Sequence, residues 1–225
     1  MLSSHDDFEI LNPGPEHFQA IQDLCLRVYP FAKPWSIEQL ESHQKVFPDG
    51  QLVVIEKKTK KLVGLAFSLI ILWDDYSPHH SWLEFTSKGT FDNHDPTNGK
   101  TLYGAEVMVD PDYRGKGLGK MLYQGRQEIV KKYKLKRIRA GARLRGYSTY
   151  KDELTPKEYV KKVVEKKIFD PTLSFQLKQG FVVLNVAANY LINDPESLGY
   201  AAVIEWLNPD LASKEDIDHS LHSFK

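Results

Sequence analysis

Short apolar runs and helical-period stripes follow one another along the chain, and each predicts an element. "FEILNPG" predicts a short strand closed by a Pro-Gly turn, and Phe18, Ile21, Leu24 and Val28 recur at helical spacing between Pro15 and Tyr29. Ser36 suits the N-cap of a second helix, with Glu38 in its first turn and Leu40 behind. "QLVVIEK" and "KLVGLAFSLIILW", parted by the polar "KTKK", predict a hairpin leading into the core. The next stretch, "DDYSPHHSWLEFTSKGTFDNHDPTNGK", has no clear period. Loops of that length are uncommon and often functional.

Regular patterning resumes with "TLYGAEVMV", a predicted strand that runs into a glycine-rich loop. Leu118, Met121, Leu122, Ile129 and Tyr133 then mark one face of a helix, and "KRIRAGA" predicts a further short strand. "TPKE" at Thr155–Glu158 has the form of a capping box with proline at the first helical position, opening a helix that carries Tyr159, Val160, Val163 and Val164. Another helix is expected over Leu173–Gln179, ended by Gly180. "FVVLNVA" and "GYAAVIEWL" supply two more strands before a polar tail. Strands and helices are thus intermixed, without internal repeats.

Composition narrows the class. With 225 residues, 41% apolar and 12% aromatic, the chain suits one large domain better than two small ones. A formal net charge of zero leaves no global field for nucleic acid or an anionic membrane. Between Lys131 and Lys167 stand fourteen Lys and Arg against four Asp and Glu, but without the interleaved aromatics of a base-stacking surface. A solvated helix face is the expectation there, and no nucleic-acid partner. The single cysteine, Cys25, excludes an internal disulfide framework and a Cys-pair zinc site; among Ile21, Leu24 and Leu26 it reads as a small buried apolar residue. "MLSSHDDFEI" lacks the features of a signal peptide, and "LVGLAFSLIIL" falls short of the roughly 20 residues that span a bilayer. No membrane partner and a cytoplasmic location are therefore expected.

The glycine loop carries the chemistry. In "VMVDPDYRGKGLGKML" a strand, a turn and a helix start aim backbone N–H groups and the positive end of a helix dipole at one point, an arrangement suited to an anion. A dinucleotide fingerprint needs glycines at 115, 117 and 120, and position 120 is Lys. A P-loop needs glycine at 114 and Ser or Thr at 121, where the chain has Arg114 and Met121. Both nucleotide readings fail.

What is left, Arg114-x-x-Gly117-x-Gly119 after a strand ending "VMVDPDY", closely resembles the coenzyme A signature of the GNAT acetyltransferase superfamily. Further stretches, "GARLRGY", "DPTLSFQLKQGF" and "NYLINDPESLGYA", resemble the acetyltransferase-type module that some bacterial proteins fuse to a nitrilase-like carbon-nitrogen hydrolase. The resemblance implies an α/β (α+β) acyl-CoA N-acyltransferase fold, a mixed central sheet flanked by helices. It implies a single domain over residues 1–225, with insertions at about 73–100 and 143–170. Acetyl-CoA is the implied co-substrate, its pyrophosphate held by Arg114, Gly115, Lys116, Gly117, Leu118, Gly119 and Lys120 and its pantetheine lined by Met108 and Val109.

Transfer of an acetyl group to an amine needs a base, because an alkylammonium with a pKa near 10.4 is not nucleophilic at neutral pH. The resemblance points to a carboxylate on the central strand, and Glu106 is the candidate. Many relatives protonate the leaving thiolate with the Tyr of a Phe-Tyr pair; here Phe175 is followed by Gln176, which cannot supply a proton. Tyr147 or Tyr190 then takes the role, or solvent does, or the site binds acetyl-CoA without turnover. The aromatic and acidic segment with Asp74, Asp75, Tyr76, His79, His80, Trp82, Glu84, Asn93, His94 and Asp95 suits a cationic acceptor. Its spacing matches no metal-ligand pattern, and Asn93-His94-Asp95-Pro96 reads as a turn. The expected function is N-acetylation of a small-molecule amine or a protein lysine. The alternative is an acyl-CoA-sensing module acting through a hydrolase partner, and a homodimer is compatible with either.

Overall fold

The computed structural model describes residues 6–77 and 79–224; residues 1–5, part of the stretch read for a signal peptide, lie outside them. Strands β1 (Phe8–Leu11), β2 (Gln51–Glu56), β3 (Leu62–Ile71), β4 (Thr101–Val109), β5 (Arg137–Arg143), β6 (Val182–Ala187) and β7 (Ala201–Leu207) form one sheet, ordered β1-β2-β3-β4-β5-β7-β6. Neighbours are antiparallel except β4 and β5, which are parallel and joined by a helical crossover. The helices are α1 (Phe18–Val28), α2 (Ile37–Val46), α3 (Trp82–Phe85), α4 (Leu118–Lys132), α5 (Pro156–Val164), α6 (Leu173–Lys178) and α7 (Lys214–His222).

Helices cover both faces of the sheet, which explains why all ten residues of β3 are buried. Leu65, Phe67 and Leu69 join one core with Ile21 and Leu24 of α1 and Leu40 of α2. Val63, Ala66 and Ile70 join another with Leu118, Met121 and Leu122 of α4 and Val160 of α5. The apolar runs and stripes therefore sit where their periods predict. Ser36 and Thr155 cap α2 and α5, each accepting from the amide three residues on.

Three expectations change. Pro15–His17 form a 3-10 turn, so α1 begins at Phe18. Val164 turns outward, 42% exposed. The polar tail forms α7, whose apolar pattern is weak because Ile217 and Leu221 face solvent. It is held instead by a Ser213–Asp216 capping box and by ion pairs from Asp216 to Lys136 (2.7 Å) and Arg137 (3.6 Å). Those partners lie far off in sequence, so periodicity carried no sign of them.

The segment before β4 folds as α3 and a series of turns around stacked rings. Trp73 and Phe85 stack at 5.2 Å between centroids, and Phe85 and Tyr103 at 4.7 Å. Beneath it, buried His43 stacks on Phe91 at 3.8 Å and bonds through Nε2 to the Gly89 carbonyl at 2.7 Å. Burial pushes its pKa down to about 4. Between the ordinary 6.5 and that value the unfolded imidazole takes a proton that the folded one refuses, so stability present above about pH 6.5 is lost on acidification. We expect His43 to account for a loss of about 3 kcal/mol between pH 7 and pH 4. Urea unfolding across that range checks this, with His43→Gln flattening the slope; an equal slope in the variant rejects it.

Candidate active site

β4 and β5 pair only where Thr101–Tyr103 meet Arg137–Arg139; beyond that the two strands separate. A bulge accompanies the separation, since Phe67 faces Glu106 while Ser68 faces Gly104, leaving Ala105 as the extra residue of β4. Arg126 of α4 is built into this bulge. Its guanidinium donates to the Phe67 carbonyl (2.9 Å), the Ser68 hydroxyl (3.0 Å) and the Glu106 carbonyl. Trp82 Nε1 takes the Ala105 carbonyl at 2.8 Å. The distortion is thus fully bonded to side chains rather than left open.

A cavity of about 1010 Å³ occupies the gap between the strands. Gly104–Met108 form one wall and Ala140, Gly141 and Arg143 the other. Tyr123 and Arg126 of α4, Gln176 of α6 and Tyr190 complete the inner end, while Trp35 and Trp82 lie on the side of the α1–α2 connection and α3. Gly141 is required by close approach, because a Cβ there would lie 2.1 Å from the ring of Tyr190.

Glu106 faces this cavity, half-buried, with its Oε1 accepting from the Val107 amide at 3.0 Å. Burial pushes its carboxyl up to about 7, while the Val107 amide, Arg126 and Arg143 pull the other way. A carboxyl in that range gives and takes protons near neutral pH. Arg126 is 1% exposed, and the acceptors of its bonds are two carbonyls and a hydroxyl, all neutral. It therefore contributes positive charge to the inner wall.

The glycine loop lies beside the cavity rather than in it. Gly115 (φ 79°) and Gly117 (φ 82°) take the left-handed conformation that side chains disfavour, and Gly117 is the N-cap of the 15-residue α4. The first-turn amides of Leu118, Gly119 and Lys120 have no acceptor one turn earlier and point out of the helix end. Arg114, Lys116 and Lys120 are exposed around them. The approach to the loop is anchored by Asp110, 1% exposed, which meets Lys61 at 2.9 Å and Arg27 at 3.0 Å.

Of the residues singled out in the sequence, Glu106, Met108 and Tyr190 line the cavity. Val109 follows at the end of β4, and Arg114, Gly115, Lys116, Gly117, Leu118, Gly119 and Lys120 form the adjoining loop and helix start. Tyr147 is not brought to the cavity: it packs against Tyr159 and Tyr200 in the core shared with α5, its hydroxyl donating to the Leu154 carbonyl at 3.1 Å. Tyr147 opens the 3-10 turn Tyr147–Thr149, and its ring is buried against Tyr159 of α5 and Tyr200 instead of among the cavity's lining residues. Of the long segment, Trp82 reaches the cavity with its neighbours Leu83, Lys88 and Thr90. Asn93 instead bonds Tyr76 and the Phe85 carbonyl, His94 Nδ1 accepts from the Ile70 amide, and Asp95 closes a turn through the amides of Thr97 and Asn98. Among the described residues no group of three His, Cys, Asp or Glu side chains could hold a metal ion. No helix among them is long and apolar enough to cross a membrane.

Sequence reasoning missed Tyr123, Arg126 and Arg143. One signal existed for Arg126, which falls on the apolar stripe of α4 between Leu122 and Ile129, where a charge is costly unless it has work inside. Two arginines of the basic segment are likewise turned inward: Arg139 meets buried Glu205 at 2.6 Å, and Arg143 meets Asp194 at 2.6 Å. That correction removes them from the solvated face expected there. Cys25 also touches the cavity, with its thiol pushed up to about 12 by burial, so it stays protonated.

Known proteins share the sequence pattern and the fold. The model of the acetyltransferase (GNAT) family matches residues 18–146. The chain is 38% identical over 201 residues to the probable hydrolase YhcX of Bacillus subtilis (strain 168), covering 89% of this chain but 39% of that protein. It is 36% identical over 194 residues to the uncharacterized N-acetyltransferase YkwB of the same organism, covering 86% and 84% respectively. Among solved structures, the GphF GNAT-like decarboxylase in complex with isobutyryl-CoA superposes with a TM-score of 0.75 at 19% identity, over 89% of this chain and 99% of that one. That likeness concerns the fold.

Proposed function

This chain belongs to the GNAT acetyltransferase family, and from that premise we propose that it is an acetyl-CoA-dependent N-acetyltransferase acting on a primary amine, either a small molecule or a lysine side chain. The observation that carries the reading is Glu106, a carboxyl poised at about 7 in a cavity opened by the separation of β4 and β5. In this reading Glu106 is the base that takes a proton from the incoming ammonium. Arg114 to Lys120 bind the pyrophosphate through the α4 amides, and Met108 and Val109 line the pantetheine arm. The chain is one domain; the segment 73–100 is an insertion that shapes the acceptor side through Trp82, and 143–170 is a second insertion whose Arg143 lines the cavity while Tyr147 and Tyr159 pack in the core beside it. Acetyl-CoA supplies the activated acyl group, and its use sets the activity in the cytoplasm.

Two measurements test this together. Acetyl-CoA at about 100 times its Kd adds about 2.7 kcal/mol to stability, a rise of roughly 5–10 °C in Tm for a chain of this size. Free thiol released in the presence of a panel of amines then establishes turnover. No shift with acetyl-CoA, CoA or other acyl-CoAs rejects the loop as a CoA site.

A second reading is favoured by one comparison: the chain spans 39% of a relative described as a probable hydrolase. There the domain senses acyl-CoA and acts through a hydrolase partner. It predicts the same thermal shift with no thiol release above background.

A further inference from the structure

Gln176 stands where the sequence resemblance calls for a tyrosine, and it is bonded to a tyrosine from another helix. Its Nε2 donates to the Tyr123 hydroxyl at 2.8 Å, and both residues line the inner end of the cavity. Tyr123 is 1% exposed and Gln176 3%. The other amide atom, Oε1, is buried and has no hydrogen-bond partner, although buried acceptors are rarely left unpaired. Arg126 lies one turn further along α4, its guanidinium carbon 5.4 Å from the Tyr123 ring centre.

We propose that Tyr123 is the acid that protonates the departing thiolate of the acyl donor, with Gln176 and Arg126 as its positioning residues. The inference rests on the acetyltransfer reading above. Because Gln176 donates to the phenol oxygen, that oxygen's own proton is free to be given elsewhere. Once it is given, the phenolate is held by the Gln176 N–H and the Arg126 charge, both already in place before reaction. Burial, and to a smaller extent the Glu106 carboxylate, raises the Tyr123 pKa and keeps it protonated at neutral pH, while Arg126 and Gln176 oppose that rise.

The other two hydroxyls lack these features. Tyr190 shares a hydrogen bond with the buried Tyr103 hydroxyl, a pair of neutral phenols. Tyr147 gives its proton to a backbone carbonyl outside the cavity. The Gln at position 176 thus moves the acid from α6 to α4 instead of removing it.

The proton balance closes. The amine nitrogen bonds to the acyl carbon as the carbon–sulfur bond breaks, and the electron pair of that bond leaves with sulfur. Glu106 takes one proton of the ammonium and passes it to water. Tyr123 gives its proton to sulfur, and the second nitrogen proton restores the phenol.

The test pairs binding with rate. CoA and desulfo-CoA, which differ only at the thiol, are titrated calorimetrically into the wild-type chain and Tyr123→Phe, and thiol release is followed with a reactive amine. We expect the wild type to prefer CoA by roughly 3- to 10-fold, the size of one hydrogen bond, and Tyr123→Phe to lose that preference. We expect kcat to fall about 100-fold in the variant while the affinity for desulfo-CoA stays within about 3-fold. If Tyr123→Phe keeps both the preference and the rate, Tyr123 is not the acid and the acetyltransfer reading stands. If the wild type binds neither ligand, the acetyltransfer reading falls and takes the inference with it. Should Tyr123→Phe not fold, Gln176→Leu is read the same way: loss of the thiol preference supports the inference, and an unchanged preference and rate overturn it.

Discussion

Glu106→Gln lowers kcat by about 10²- to 10³-fold while acetyl-CoA affinity holds within a small factor. The size is that of a general base removed from a proton transfer in the rate-limiting step. Gln keeps the shape of the side chain and cannot accept a full proton. Wild-type kcat/KM rises through about pH 7, where the half-buried carboxyl ionises. The variant lacks that limb and climbs slowly toward the amine's own pKa near 10.4. Stability moves in the opposite direction. A carboxyl whose folded pKa lies above its ordinary 4.5 contributes stability below that value and loses it as pH rises through about 7. The neutral Gln is spared that loss, so the variant's Tm at pH 8 equals or exceeds the wild type's. Steady-state kinetics across pH and a Tm series check both parts, and an unchanged acidic limb removes Glu106 as the base.

Arg143→Met lowers stability by about 3–5 kcal/mol, the cost of leaving a buried carboxylate without its partner. Arg143 sits at the end of β5 with its guanidinium forked onto Asp194, Nε at 2.8 Å and Nη2 at 2.6 Å, and Nη2 also reaches Glu196 at 2.7 Å. Both members of the pair are buried, at 8% and 7% exposure. Asp194 in turn accepts from the Ser197 hydroxyl and the Glu196 amide, so the pair fixes the connection between β6 and β7 against the cavity wall. A drop of roughly 10 °C in Tm is expected for a chain of this length. The double variant Arg143→Met with Asp194→Leu recovers part of it, because no lone charge is then buried. Equal losses in the single and double variants show that packing, not the uncompensated charge, sets the cost.

The glycine loop was legible because its chemistry is local. Gly115 and Gly117 adopt positive φ within a few residues of the strand that feeds them, and Gly117 caps the helix that follows. Glu106 was named through the family resemblance, which asks for a carboxylate on the strand before the loop, and the structure places it three positions before the end of β4 and facing the cavity. Tyr147 and Tyr190 were not separable by sequence. Each is an aromatic residue near a strand end, and only packing sends Tyr147 under α5 and Tyr190 over Gly141 into the cavity.

By itself the sequence determined the seven strands, the helices α1, α2, α4, α5 and α6, the anion-ready start of α4 and the burial of Cys25. All of these rest on periods and turn residues within about a dozen positions of one another. The tertiary structure decided which polar side chains share the cavity. Gln176 meets Tyr123 across 53 positions, Arg126 meets Ser68 across 58 and Arg143 meets Asp194 across 51. No local pattern encodes those meetings. They follow from a bulge of one residue in β4, which parts two strands, and from the helix packing that turns three polar residues inward to face the gap.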